Sequence, residues 1–253
     1  MKSLQKDLLR VEIFDTRAEM GRKAAEDIAA KIAELLAEKE EIRMIFAAAP
    51  SQNEVLENLL RLPIAWERIR AYHMDEYIGL SADAPQGFGN FLRERLFGKV
   101  PFRSVDYIDP TAKDAEAEAR RYAKIVTEHP ADIVVLGIGE NGHIAFNDPP
   151  VADFADPLAA KVVALDEVCR TQQVHDGCFA DLADVPTHAV TLTVPTLTRA
   201  PYLFCIVPAP TKAAAVYAAV CGPIGEQTPA TALRRHKNAI LYLDRDSAGR
   251  LPL

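Results

Sequence analysis

What most constrains this chain is a rhythm: short strand-like runs alternate with longer stretches whose apolar residues recur at helical spacing. Residues 11–14, 42–48, 68–73, 105–108, 133–136, 160–165, 189–192, 203–207 and 240–243 read as strands. Residues 17–40, 53–61, 91–96, 114–128 and 212–220 read as helices. In the first of these, Ile28, Ile32, Leu35 and Leu36 recur at helical spacing, and Thr16 with Glu19 forms a capping box at its start. Alternation of this kind predicts an α/β fold. A single domain over residues 1–253 is expected, with a mostly parallel, doubly wound sheet and helices on both faces.

A hydrophobic fraction of 49% is enough for such a core. The net charge of -7 argues against a nucleic-acid binder, which would carry a basic face. It does not exclude an anionic substrate, since a few local cations and backbone amides can hold one phosphate. No apolar run has the length of a membrane span, and the opening MKSLQKDLLRVEIF lacks the apolar centre of a signal peptide. Cys169, Cys178, Cys205 and Cys221 form no CxxC pair, so reduced thiols and a cytoplasmic location are expected.

Open parallel sheets bind ligands where their strands end. Behind residues 42–48 comes Ala49-Pro50-Ser51-Gln52-Asn53, and behind 68–73 comes Met74-Asp75-Glu76-Tyr77. Behind 133–136 comes the loop from Gly137 to His143, and behind 203–207 comes Pro208-Ala209-Pro210-Thr211-Lys212. An acidic pair, a histidine and a lysine thus converge with two helix starts, which suits acid–base chemistry on an anion.

Gly137, Gly139 and Gly142 also spell G-x-G-x-x-G, with Asp166 further on, which raises a dinucleotide site. That motif needs a helix at the loop, and here Pro149-Pro150 follows too soon. The glycines fit better as a tight path presenting Asn141 and His143 to a pocket.

HMDEYIGL (73–80) and LGIGENGHIAFNDPP (136–150) resemble the two signature segments of glucosamine-6-phosphate deaminases, relatives of the 6-phosphogluconolactonases. VPTHAVTLTVPTL (185–197) and PTKAAAVYAAVCGPIGEQTPATALRRH (210–236) are similar to later segments of the same family, in the same order. The resemblance implies conversion of glucosamine 6-phosphate to fructose 6-phosphate and ammonia, without a metal or organic cofactor. By position, Asp75 would move a proton between adjacent carbons. His143 would assist ring opening, with Asn141 and Asp148 as its polar partners. Ser51, Gln52, Gly139 and Lys212 would bind the substrate and its phosphate. Glu76 either takes part or only shapes the loop. The expected partner is a phosphorylated sugar rather than nucleic acid or membrane. The family includes oligomeric relatives and others, so a homo-oligomer stays open.

The chain departs from the family in three places. Asn141 and Asp148 stand where many relatives carry Asp and Glu. Ala47-Ala48-Ala49-Pro50-Ser51-Gln52 replaces a phosphate loop of the A-T-G-S-T-P kind. Residues 174–179 (VHDGCF) lack the phosphate-binding arginine of some relatives. Two other readings therefore accompany the deaminase: a 6-phosphogluconolactonase-like hydrolase, and a sugar-phosphate-binding protein without catalysis. Asp-Glu-Tyr and Asn-Gly-His, in place of the lactonases' Asp-Glu-Arg and Asp-Gly-His, count against the first. Retention of Asp75 and His143 counts against the second.

Overall fold

A computed structural model describes residues 1–252. In chain order the first half comprises β1 (Lys2–Lys6), β2 (Leu9–Phe14), α1 (Arg17–Glu38), β3 (Ile42–Phe46), α2 (Asn53–Leu59), β4 (Ile69–His73), β5 (Asp75–Tyr77), α3 (Phe88–Leu92) and β6 (Ser104–Asp106). The second half comprises α4 (Ala115–Glu128), β7 (Ile133–Leu136), β8 (Ala160–Ala164), α5 (Glu167–His175), β9 (His188–Leu192), α6 (Val194–Thr198), β10 (Tyr202–Val207), α7 (Ala213–Cys221) and β11 (Ala239–Asp244).

Eight strands form one sheet in the order β1-β2-β11-β10-β7-β3-β4-β6, parallel throughout except for β1 at its edge. Strand residues alternate between two cores. Ile45, Leu203, Cys205 and Val207 pack on the face with α4 and α7, while Met44, Phe46, Phe204 and Ile206 pack on the face with α1 and α2. The doubly wound α/β expectation is met. Thr16 accepts from the Glu19 amide at 3.2 Å, starting α1 where the capping box placed it.

The chain leaves β3 toward β4 on one side and β7 toward β10 on the other. The loops behind β3 and β7 therefore diverge and open a crevice at the carboxyl edge.

Residues 160–164 and 188–192 are strands as expected, but they lie outside the main sheet. With β5 they form a separate antiparallel sheet in the order β5-β9-β8. The chain steps out of β4 at Met74, whose carbonyl accepts from the Leu192 amide at 2.8 Å. That step sets Asp75 opposite Thr191 at the junction of the two sheets.

The sequence reading also missed β1, β5, α5 and α6. Asp166, weighed above as a ribose-binding acid, instead caps α5 by accepting from the Val168 amide at 3.2 Å. The helix expected at 91–96 begins earlier, at Phe88, and continues as a wide π-helical turn over Arg93–Phe97.

Candidate active site

One cleft at the crevice is lined by Ser51 and Gln52 behind β3, Asp75 behind β4, Gly139 and His143 behind β7, and Lys212 behind β10. Sequence reasoning had named all of these. β4 and β10, the strands that lead to Asp75 and Lys212, flank the central β3–β7 pair, three strand spacings or about 14 Å apart at the sheet.

Asp75 is 6% exposed. Burial, then the neighbouring Glu76 and Asp148 carboxylates, push its carboxyl well above the usual range. A carboxylate with high proton affinity is a stronger base. Glu76 does not share the cleft. It accepts from the amides of Tyr77 at 2.9 Å, Phe88 at 3.0 Å and Gly89 at 2.8 Å, so it holds the start of α3. Burial raises its carboxyl to about 7 against the pull of those amides. Of the two earlier readings of Glu76, the geometry supports the one that shapes the loop.

His73 fastens Asp75 from behind. Its Nε2 accepts from the Ile108 amide at 2.9 Å, which leaves Nδ1–H to donate to the Asp75 carbonyl at 2.9 Å. Burial holds this imidazole neutral, with its proton affinity lowered to about 4.

His143, Asn141 and Asp148 converge. His143 Nδ1 stands 2.8 Å from Asp148 Oδ1, close but not aligned as a directed hydrogen bond. Asn141 Nδ2 donates to the same oxygen at 2.8 Å, and its Oδ1 accepts from the His143 amide at 3.0 Å. Asn141 thus ties the loop to Asp148 with both ends of its amide. Burial alone would raise the Asp148 carboxyl, but His143 and Asn141 outweigh it and hold it below the ordinary range. Asp148 therefore stays ionised, and its short side chain still comes within 2.8 Å of His143 Nδ1.

The glycines of this loop serve packing. A Cβ on Gly139 would overlap the His143 ring, so only glycine lets the imidazole lie across the turn. Gly142 has φ +87°, and a Cβ there would meet Thr228 Cγ2 at 2.8 Å. No helix opens at the loop, so it lacks the element a dinucleotide site needs.

Lys212 is 4% exposed and has no carboxylate within 4.0 Å among the described residues. Burial lowers its proton affinity, partly offset by the more distant Asp176 and Glu140. It follows Ala209, whose φ of +85° and ψ of 148° are close to a glycine-only conformation costing about 1–3 kcal/mol. The Ala209 amide donates to buried Asp244 at 3.0 Å, which holds the strained turn in place.

Two cleft residues went unread in the sequence. Gln172 and Gln173, on α5, line the same space. Gln172 is engaged by the Glu140 amide at 2.8 Å. Residues 174–179 place no arginine there, and Arg170 turns away to hold the carbonyls of Leu182 and Val185. Gln52 and Gln173 line the same cleft as Lys212. Missing α5 hid the glutamines.

Comparisons with known proteins bear on the family and the fold. A family model described as "Glucosamine-6-phosphate isomerases/6-phosphogluconolactonase" matches residues 15–242. The glucosamine-6-phosphate deaminase of Streptococcus pyogenes serotype M1 is 33% identical over 205 residues, 81% of this chain and 86% of that protein. That of Listeria monocytogenes serotype 4a is 34% identical over 212 residues, 83% and 88% of the two chains. A solved monomeric glucosamine-6-phosphate deaminase superposes with a TM-score of 0.86 at 30% identity, covering 94% of this chain and 98% of that one. A 6-phosphogluconolactonase from Thermotoga maritima, 20% identical over 92% of this chain and 98% of its own, shares the fold with a TM-score of 0.76. Model, relatives and fold coincide over most of the length, and the chain belongs to the glucosamine-6-phosphate isomerase/6-phosphogluconolactonase family.

Proposed function

We propose that the protein converts glucosamine 6-phosphate and water to fructose 6-phosphate and ammonia. The observation that carries this is the charge pattern of the cleft. A buried carboxylate lies on one side of the central strand pair, and on the other a buried lysine without a carboxylate partner among the described residues. Glucosamine 6-phosphate carries the matching pair, an ammonium at C2 and a phosphate at C6. A phosphogluconolactone has the phosphate but no cation for Asp75.

Each step then has a group to serve it. Lys212 binds the phosphate, with Ser51, Gln52 and Gln173 supplying polar contacts. His143 gives a proton to the ring oxygen and takes one from the C1 hydroxyl, opening the sugar to its aldehyde. Asp148 supports the charged imidazole, and Asn141 holds Asp148 in place. Asp75 takes the proton from C2 and returns it to C1, while one proton of the C2 ammonium passes to the C1 oxygen, leaving a C1 hydroxyl and an iminium at C2. Water adds to that iminium and ammonia leaves. Binding of the substrate's ammonium offsets the burial that disfavours ionised Asp75, so the base is readied as the substrate arrives.

Purified protein should release ammonia and fructose 6-phosphate in equal amounts from glucosamine 6-phosphate. Asp75→Asn should lower kcat by roughly 10²–10⁴-fold, the usual loss for a general base. Hydrolysis of 6-phosphogluconolactone without ammonia release from the amino sugar would overturn the reading.

A further inference from the structure

Behind the cleft wall, His143, Asp148 and Cys169 bring one nitrogen, one oxygen and one sulfur within 4.8 Å of one another. All three residues are buried, Asp148 and Cys169 at 1% exposure each. Among the described residues Asp148 Oδ2 has no directed hydrogen-bond partner, and His143 Nδ1 meets Asp148 Oδ1 at 2.8 Å without the alignment of a hydrogen bond. Such atoms are rarely left so in a protein interior. Cys169 enters from α5, outside the cleft lining, and nothing in the proposed reaction uses it.

We infer that this cluster is an inhibitory binding site for a zinc-like divalent cation, held by His143 Nδ1, Asp148 and the Cys169 thiolate. Imidazole, carboxylate and thiolate are the donors zinc takes, and three of them leave a fourth position open. The thiol gives up its proton to solvent as the metal binds. Two anionic ligands then neutralise the dication, which makes burial tolerable. Of the three, His143 fronts on the cleft, and Asp148 and Cys169 lie buried behind it.

The inhibitory consequence rests on the reading of His143 given above; the metal site itself does not. A metal on Nδ1 takes the place of the proton that faces Asp148. The ring can then no longer become an imidazolium, and ring opening loses its acid.

Two measurements on the whole purified chain separate these points. In the first, Co²⁺ is titrated as a spectroscopic probe, with no substrate present. A thiolate-to-cobalt absorption band in the near ultraviolet is expected for wild type and not for Cys169→Ala or Cys169→Ser. In the second, ammonia release is followed as Zn²⁺ is added and then withdrawn with a chelator. Wild type should lose activity reversibly. The two cysteine variants should keep their basal rate and need at least roughly tenfold to a hundredfold more Zn²⁺, since even partners outside the ligand sphere are worth that much. The serine variant keeps the side-chain size, should alanine loosen the core. A band that persists without Cys169, or no band in wild type, would overturn the site. A Cys169-dependent band with unchanged turnover in Zn²⁺ would overturn the inhibition. If glucosamine 6-phosphate is not turned over at all, the cobalt titration still decides the metal site.

Discussion

At the scale of single residues, the cleft is built from groups that folding would rather not bury. Asp75 is the clearest. Its carboxyl binds a proton more tightly in the folded chain than in the unfolded one. Stability therefore falls as pH rises from the ordinary carboxylate range toward the raised value, because the native state must surrender a proton it favours. Asp75→Asn removes that cost. Thermal unfolding should show the variant gaining on wild type as pH rises above the ordinary carboxylate range, while it loses turnover. A variant less stable than wild type at pH 8 would mean that Asp75 is held by interactions outweighing its burial. These residues were readable because the chemistry rests on their type and their place behind a strand. Asp75, His143 and Lys212 each follow an apolar run. What could not be read was direction: Glu76 is adjacent to Asp75, yet its carboxylate turns to three backbone amides.

At the scale of elements, that turn of Glu76 is structural in consequence. α3 is five residues long and starts at Gly87 without a side-chain cap of its own. Glu76 supplies the missing acceptor from another strand. Glu76→Ala should leave buried amides unpaired and cost about 1–3 kcal/mol in urea unfolding. It should also loosen Phe88, which lines the cleft, and so raise KM more than it lowers kcat. An unchanged unfolding midpoint would show that water replaces the carboxylate at no cost. Element type was legible wherever periodicity was strong. Partnership was not: β8 and β9 carry the apolar pattern of any buried strand, and nothing in that pattern says which sheet receives them. α5 was hidden for another reason. Its nine residues are largely polar, and only the Asp166 cap with acidic Glu167 behind it announced a helix.

At the scale of the whole molecule, the site follows from topology. A sheet that winds outward in both directions from β3 and β7 must part there, and the loops on either side of the parting, behind β4 and β10, carry the carboxylate and the lysine. Without substrate the two are buried charges with opposite preferences: burial raises the Asp75 carboxyl and lowers the Lys212 ammonium. For Lys212 the sign is the reverse of Asp75. Its cost is full below the lowered folded value and fades as pH rises through it. A phosphate would supply the missing partner and convert that cost into binding energy. Fructose 6-phosphate at roughly a hundred times its Kd should therefore stabilise wild type by about 2.7 kcal/mol. Lys212→Met keeps an apolar stem of similar length without the charge. It should melt at a higher temperature than wild type when ligand is absent, and the same concentration of fructose 6-phosphate should move it little. The alternative predicts the opposite on both counts. If Lys212 is held by the fold itself, the variant melts lower and still responds to ligand. Paired melting curves with and without the ketose phosphate distinguish the two, because only an anion site couples stability without ligand to the ligand's increment through a single side chain.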